Sequence, residues 1–340
     1  ESRGLGDVYK RQELKKIPLV VKLYNYYKTI RYNQNLVIKE VFNYNKSRFY
    51  KYSGAFRDSK GKDLAYLTWF YHQIDKGLAM HDMRLGFGQE KIVSLNETID
   101  SYICKYGDKD TQLLDAIAVL FLYDDVHKKA GFQLPAHIQK IIDDKKGKYP
   151  SIPVLEQDFS TPAGYYACIN SNFKDFSASR HSIRDFAGEI PVARIVDAID
   201  IAKNAPSACN RQPSRVHVVV DKNLIAQCLS LQNGNRGFGN LVNKLLVITG
   251  DLSSVLGAQE FFDLNTNVGI FIMNLSYGLH YNKVAHCILN WYVLPKEDKK
   301  LRKLLQIPDE ESVVCFIACG DLPERFKIVS SPRITAKDIY

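Results

Sequence analysis

Anion-binding side chains recur at every second position in residues 179–186, which read SRHSIRDF. In an extended segment, side chains alternate between two faces, so Arg180, Ser182 and Arg184 are expected to point the same way. Two guanidinium groups that flank a hydroxyl suit a phosphate monoester, because each arginine offers a rigid, permanently charged set of donors. The intervening His181 and Ile183 are then expected to face the protein.

The same residues have a simpler interpretation as a helix start. Ser179 or Ser182 would then cap a helix, and Arg180 and Arg184 would be solvated charges in its first turn. For an isolated R-x-S-x-R pattern this simpler interpretation is the more frequent one. The residues that follow favour the first interpretation.

A second polar segment lies about twenty residues further on. Residues 205–213 read APSACNRQP, between an amphipathic helix predicted behind Pro191 and a buried strand predicted at 216–220. A loop rich in amide and hydroxyl groups in this position is well placed to bind a ligand. The order is therefore an extended cationic segment, a helix, a polar loop and a buried strand.

This order resembles the beginning of the nitroreductase family of flavin enzymes, in the motifs R-x-S-x-R-x-F and P-S-x-x-N-x-Q-P and in their separation. Downstream, a strand at 245–249, an apolar helix at 259–279, the sequence CILNW at 287–291 and a strand at 312–321 resemble later elements of that family. The resemblance covers residues 174–340, about half of the chain. It implies an α/β protein, specifically an α+β fold with a mixed sheet flanked by helices.

The resemblance also implies FMN as cofactor, NAD(P)H as electron donor and a homodimer with two flavins. No side chain is predicted to be catalytic, because flavin N5 carries the hydride. Arg180, Ser182 and Arg333 would bind the phosphate beside the His181 backbone, and Arg184 would stabilise the reduced ring at its pyrimidine edge. The other implied contacts are the loop residues Pro206, Ser207, Ala208 and Asn210 (from the partner subunit), Gln212, Asn235 at the flavin amide edge, and Ile288 facing N5. For Asn235 an ordinary surface turn is the alternative.

Composition narrows the class of protein. The seven cysteines form no C-x-x-C pair, and an odd count without framework spacing is typical of reduced thiols in the cytoplasm. The eight histidines are scattered, so no metal site is predicted. No apolar run is long enough for a membrane span.

The positive charge is concentrated in the N-terminal half. Residues 13–150 carry 23 Lys and Arg against 16 Asp and Glu, whereas residues 151–340 carry 20 against 19. This basic region could bind an acidic polysaccharide precursor, a nucleotide-linked substrate, nucleic acid or an anionic membrane. Alternatively, its charges could belong to a solvated helical surface. It has no compact basic cluster of the kind that indicates nucleic-acid binding.

We predict four regions along the chain. Residues 1–12 resemble the translation of a transposon end and are expected to be non-native. Residues 13–150 are predicted to be mainly helical, residues 151–164 to be a linker with several prolines, and residues 165–340 to be the FMN-binding domain. The helical region resembles an extension seen on nitroreductase-like proteins encoded with bacterial surface-polysaccharide genes.

The predicted helices of that region span 63–78, 90–106, 111–129 and 136–145. On the first of them, His72, Asp75 and Lys76 either line the substrate side of a flavin pocket or form an ordinary polar helix face. The second interpretation is the simpler one.

Three functional hypotheses follow. The first is an FMN-dependent oxidoreductase that uses NAD(P)H or an organic donor. The second is a flavin enzyme with other chemistry and no nicotinamide donor. The third is a binding subunit of polysaccharide biosynthesis that keeps the fold without catalysis. Flavin content separates the third hypothesis from the others, and reduction by NAD(P)H separates the first from the second.

Overall fold

The computed structural model describes residues 18–31, 33–157 and 159–340. The chain divides into two compact units, one of Glu1–Arg57 with Val255–Leu264 and one of Asp58–Ser254 with Asn265–Tyr340. The segment predicted to be non-native, residues 1–12, lies outside the described residues. The domain boundaries expected from the sequence stay predictions.

The first unit contains two helices that the sequence patterns did not predict, α1 (Pro18–Arg31) and α2 (Gln34–Tyr52). Asn33 caps α2, because its side-chain oxygen accepts hydrogen bonds from two amide groups of the first turn. The ring of Phe42 on α2 lies 4.6 Å from that of Phe261. No residue of α2 is buried, so aromatic contacts rather than a full apolar face hold this helix.

The second unit begins with a helical bundle: α3 (Lys60–Leu78), α4 (Gln89–Tyr106), α5 (Thr111–Lys129) and α6 (Ala136–Lys148). Helix α5 begins and ends at the predicted residues, and α6 continues three residues past its predicted end. Nearly every residue in the middle of α5 is buried, and the other helices bury one face each against it. The mainly helical character predicted for the N-terminal region is confirmed.

The rest of the second unit is built around a four-stranded sheet in the order β2-β3-β5-β4. Its strands are β2 (Ser214–Val219), β3 (Lys244–Asp251), β4 (Ala285–Asn290) and β5 (Glu311–Gly320). The central strand β3 is almost completely buried, as its run of apolar residues predicts, and β4 lies at an edge. Every strand pair in the described part of the chain is antiparallel, whereas we expected a mixed sheet; strand patterns do not say which strands become neighbours.

A two-stranded sheet pairs β1 (Phe159–Ser160) with β6 (Phe326–Lys327), so part of the predicted linker is paired backbone. The remaining helices are α7 (Pro162–Tyr165), α8 (Phe173–Ser179), α9 (Val192–Ala202), α10 (Lys222–Ser230), α11 (Asp263–Tyr281), α12 (Pro295–Leu305) and α13 (Ala336–Ile339). The α+β fold class is confirmed. No helix in the described part of the chain is long and apolar enough to cross a membrane.

Candidate functional site

The cationic segment predicted from the sequence lies along the free edge of β4. It follows α8 without regular secondary structure, and the amide of Ile183 donates to the carbonyl of His286 over 2.9 Å. Ile183 is fully buried whereas Ser182 and Arg184 are half-buried, as the alternation predicts; His181, also expected to face the protein, is only half-buried. The segment is therefore fixed to the sheet through its inward-facing residue.

The aromatic residue that completes the motif depends on a glycine of the last core strand. Phe186 is buried against Gly320 at the end of β5. A Cβ atom at Gly320 would lie 2.7 Å from the Cβ of Phe186, so only glycine leaves room for this contact. Phe186 of the motif and Gly320 of β5 therefore pack directly against each other.

Histidines within and next to the cationic segment form hydrogen bonds that fix its backbone. The amide of His181 donates to the Tyr165 hydroxyl over 3.2 Å, and its ring Nδ1–H donates to the Ser179 carbonyl over 3.0 Å. Beneath it, buried His286 donates from Nδ1 to Val284 and accepts at Nε2 from Ser276 over 2.7 Å. The carbonyl acceptors place a proton on Nδ1 of each ring, and a neutral His286 then accepts at Nε2 from the Ser276 hydroxyl.

Burial and the nearby positive charges keep these rings neutral. Burial, followed by the charge of Arg180, lowers the pKa of His280 to about 4. Burial also lowers the pKa of His286 to about 3, partly offset by its bond to Val284. Both values lie below the ordinary histidine value of 6.5.

These pKa values predict a loss of stability in mild acid. The unfolded chain takes up protons below pH ~6.5, and the folded protein does so only near pH 4 and below, so stability is complete above 6.5 and falls as the pH falls. At pH 5 each such histidine costs about 2 kcal/mol. The urea unfolding midpoint of the wild type should therefore drop between pH 7 and pH 5. In His286→Gln the drop should be smaller, because glutamine does not titrate; an equal drop in both proteins would contradict the assignment.

Three arginines face this region from two parts of the chain. Arg180 and Arg184 come from the cationic segment, and Arg333 comes from the C-terminal stretch after β6. Burial is the main cause that lowers the pKa of His181 and of His72; the charges of Arg180 and Arg333 add to it at His181, and those of Arg184 and Arg333 add to it at His72. None of these arginines forms an ion pair within residues 18–31, 33–157 and 159–340. We call them the arginine cluster.

The polar face of α3 contributes further groups near the arginine cluster. Lys76 donates to the carbonyl of Gly234 over 3.0 Å, and burial followed by the charge of Arg184 lowers its pKa. His72 is half-buried, and burial together with the charges of Arg184, Lys76 and Arg333 lowers its pKa to about 4. Asp75 is fully buried. Asp75 therefore does not lie on an ordinary polar helix face, whereas the role of all three residues at a flavin stays a prediction.

Ile288 presents its side chain at the exposed edge of the sheet. It lies on β4 and is 37% exposed, while its neighbours Cys287 and Leu289 are buried. Burial raises the pKa of the Cys287 thiol, and the charges of Arg184 and Lys76 oppose this. The arginine cluster and Ile288 thus belong to the same edge of the sheet.

The predicted ligand loop has an unusual backbone. Cys209, Asn210 and Gln212 all have φ between 51° and 56°, a left-handed conformation that costs energy for residues other than glycine. Side chains hold it: Ser207 Oγ accepts from the Gln212 amide over 3.0 Å, and Asn267 on α11 accepts from the Ala208 amide over 2.9 Å. Backbone strain of this kind concentrates at ligand sites.

The same loop lines a cavity of about 350 Å³. Pro206, Ser207 and Gln212 line it from the loop, and Asn267 and Phe271 line it from α11. The loop is held by its own residues, by Asn267 of α11 and by the Ser254 carbonyl after β3, which accepts from Arg211 over 2.7 Å, whereas the arginine cluster and Ile288 belong to the region of β4. Within one chain the predicted site residues therefore form two groups with different supports.

The amide of Asn235 is used within its own turn. Its Nδ2 donates to the carbonyls of Leu229 and Gln232 at 2.8 and 2.7 Å. These bonds are those of a structural turn, the alternative that the sequence left open. A role for Asn235 at the flavin stays a prediction.

Sequence reasoning missed one support of the site, Tyr165, and left Asp75 between two interpretations. Tyr165, at the end of α7 and the start of the predicted FMN-binding domain, bonds both the amide and the carbonyl of His181. Asp75 bonds backbone 255 and 256 residues away along the chain. The sequence singled out Asp75 on α3 but not its burial; the signal for that burial is its place beside the core residues Ile74 and Leu78.

Residues 178–235 match the model of the nitroreductase family, which confirms the resemblance inferred from the motifs. No curated protein matches the chain. Solved structures similar to this chain include a nitroreductase family protein from Streptococcus pneumoniae TIGR4 (22% identity, 50% of this chain and 98% of that chain, TM-score 0.42). Others are an FMN-dependent nitroreductase from Clostridium difficile R20291 (20%, 48% and 92%, 0.40) and a nitroreductase family protein from Clostridium novyi NT (18%, 45% and 86%, 0.41).

Proposed function

We propose that this chain, which carries the nitroreductase-family segment 178–235, is an FMN-dependent oxidoreductase with NAD(P)H as electron donor. The observation that carries the proposal is the arginine cluster beside the free edge of β4. Its three guanidinium groups lack an ion pair within the described part of the chain, so their positive charge is available for an anion. A phosphate monoester is the group that such planar donors bind best.

The residues present fit the parts of FMN. Arg180, Ser182 and Arg333 would hold the phosphate with the His181 backbone, and Arg184 would place a positive charge at the pyrimidine edge. Bound FMN supplies hydride transfer at N5. The exposed edge of β4 at Ile288 would lie against that atom, and the positive charge of Arg184 would stabilise negative charge developing on the ring.

We further propose a homodimer in which the loop at Pro206–Gln212 completes the partner's site. Helix α11, which holds this loop through Asn267, leaves Ile270 and Met273 about two fifths exposed. Exposed apolar side chains on one helix face favour burial against another subunit. The seven free cysteines fit a reducing compartment such as the cytoplasm.

A mixed dimer tests which chain supplies each half of the site. One parent carries Arg180→Ala, and the other carries Ser207→Ala with Asn210→Ala. If the halves come from different subunits, each mixed dimer regains one intact site and about half of the wild-type flavin content, although both parent dimers lose theirs. If one chain supplies both halves, mixing restores nothing and the shared-site proposal fails.

The first experiment on function is the visible spectrum of the purified protein, followed by anaerobic addition of NADH or NADPH. A flavin spectrum that bleaches supports the proposal and identifies the donor. A flavin spectrum that persists favours a flavin enzyme without a nicotinamide donor. A colourless protein that also refuses added FMN contradicts the proposal and favours a binding subunit, for example in polysaccharide biosynthesis.

A further inference from the structure

Asp75 of α3 bonds the C-terminal stretch that carries Arg333. Its Oδ2 accepts from the Ser330 hydroxyl and from the Ser331 amide, both over 2.9 Å. Its Oδ1 accepts from the Ser330 amide over 3.2 Å. Three donors from two consecutive residues therefore converge on one carboxylate.

Helix packing alone does not account for an aspartate at this position. Ile74 and Leu78 are the core residues of α3 beside it. Burying a carboxylate completely costs a large desolvation free energy unless the carboxylate is hydrogen-bonded. Burial raises the pKa of Asp75, whereas the bonds from Ser331 and Ser330 and the charge of Arg184 lower it. The burial of this carboxylate is therefore explained by its hydrogen bonds to Ser330 and Ser331 and not by packing in the helical core.

The bonded stretch leads directly to the arginine cluster. Ser331 has a left-handed backbone (φ 41°), so the chain turns sharply at the residue whose amide Asp75 binds. Two residues later, Arg333 donates from Nη1 back to the carbonyl of Ser331. After burial, the charge of Arg333 is one of the smaller influences on the pKa of His181 in the cationic segment and of Tyr71 on α3, and it lowers both. The position of this guanidinium group therefore depends on the turn at Ser331.

We propose that Asp75 is a positioning residue of the cofactor site, which binds the backbone turn at Ser330 and Ser331 and so directs Arg333 toward the FMN phosphate. This proposal rests on the proposed function. It assigns the helical region a role in cofactor binding within its own chain. The residues with this role lie outside the family-matched segment 178–235.

A double-mutant cycle on FMN affinity tests the proposal. Asp75→Asn, Arg333→Ala and the double variant are titrated with FMN, and the quenching of flavin fluorescence gives each Kd. Bonds to a charged group are involved, so Asp75→Asn should raise the Kd about tenfold and Arg333→Ala at least as much. If Asp75 acts through Arg333, the double variant binds FMN no more weakly than Arg333→Ala alone. Equal factors in both backgrounds would show a general structural effect and overturn the proposal.

Two further variants keep the cycle interpretable. Asp144→Asn removes the same charge from an exposed position on α6 and should leave the Kd unchanged. Ser330→Ala removes one donor and leaves the carboxylate in place, so it serves if Asp75→Asn does not fold. It should raise the Kd about threefold, and only while Arg333 is present.

Hydrogen exchange separates this proposal from the proposed function. In the protein without FMN, the amides of Ser330 and Ser331 should exchange slowly in the wild type and at least tenfold faster in Asp75→Asn. Unchanged exchange would overturn the role of Asp75 whatever the affinity data show. A wild type that binds no FMN while its exchange responds to Asp75→Asn would instead refute the proposed function and leave the contact in place.

Discussion

Replacing Arg180 by alanine is expected to raise the Kd for FMN about 100-fold, so that most of the flavin is lost during purification. The change removes two or more charge-assisted bonds to the phosphate. The fold should persist, because Arg180 has no ion pair in the described part of the chain and its loss strands no buried charge. Flavin content of the purified protein and titration with FMN measure the effect.

Two companion variants define the cause. Arg180→Lys keeps the charge but loses the planar fork, so an intermediate loss of about tenfold is expected. Arg48→Ala removes an exposed arginine of the first unit, whose side chain lies over the rings of Tyr44 and Tyr52, and should not change the Kd. Full flavin occupancy in Arg180→Ala would refute the phosphate assignment.

The second large effect is expected at Gly278 on α11, which touches the backbone of α9. A Cβ atom there would lie 2.6 Å from the carbonyl oxygen of Ala198 and 3.2 Å from its Cα. Because the obstacle is backbone, Gly278→Ala must push the two helices apart, at a cost of about 3 kcal/mol. The same helix carries Ser276 and His280, which support the cationic segment, so FMN affinity should fall as well.

Urea denaturation at pH 7 measures the stability of Gly278→Ala against that of the wild type, and the variant should have the lower unfolding midpoint. Gly147→Ala on α6 is the matched control, since nothing lies within 4 Å of the added methyl group. Alanine is the better helix former, so this control should gain up to about 1 kcal/mol. A loss at Gly147 equal to that at Gly278 would contradict the role assigned to the helix contact.

Local periodicity predicted much of the fold. Helix α5 begins and ends where its apolar pattern does, and β3 is buried as a continuous apolar run predicts. The alternation at Arg180, Ser182 and Arg184 was also readable, because side chains two residues apart in extended backbone share a face. Helices α1 and α2 were missed; in α2 none of the residues is buried, so its apolar pattern is weak.

By itself, the sequence determined the main helices and strands of the second unit, and that an extended pair of arginines suits a phosphate. Only the tertiary structure decided which distant groups meet, because contact between residues far apart leaves no periodic signal in either segment. Two examples are the hydrogen bonds that Asp75 accepts from Ser330 and Ser331, and the bond from the Ile183 amide to β4. Their geometry follows from the packing of whole elements, so no local pattern could have predicted it.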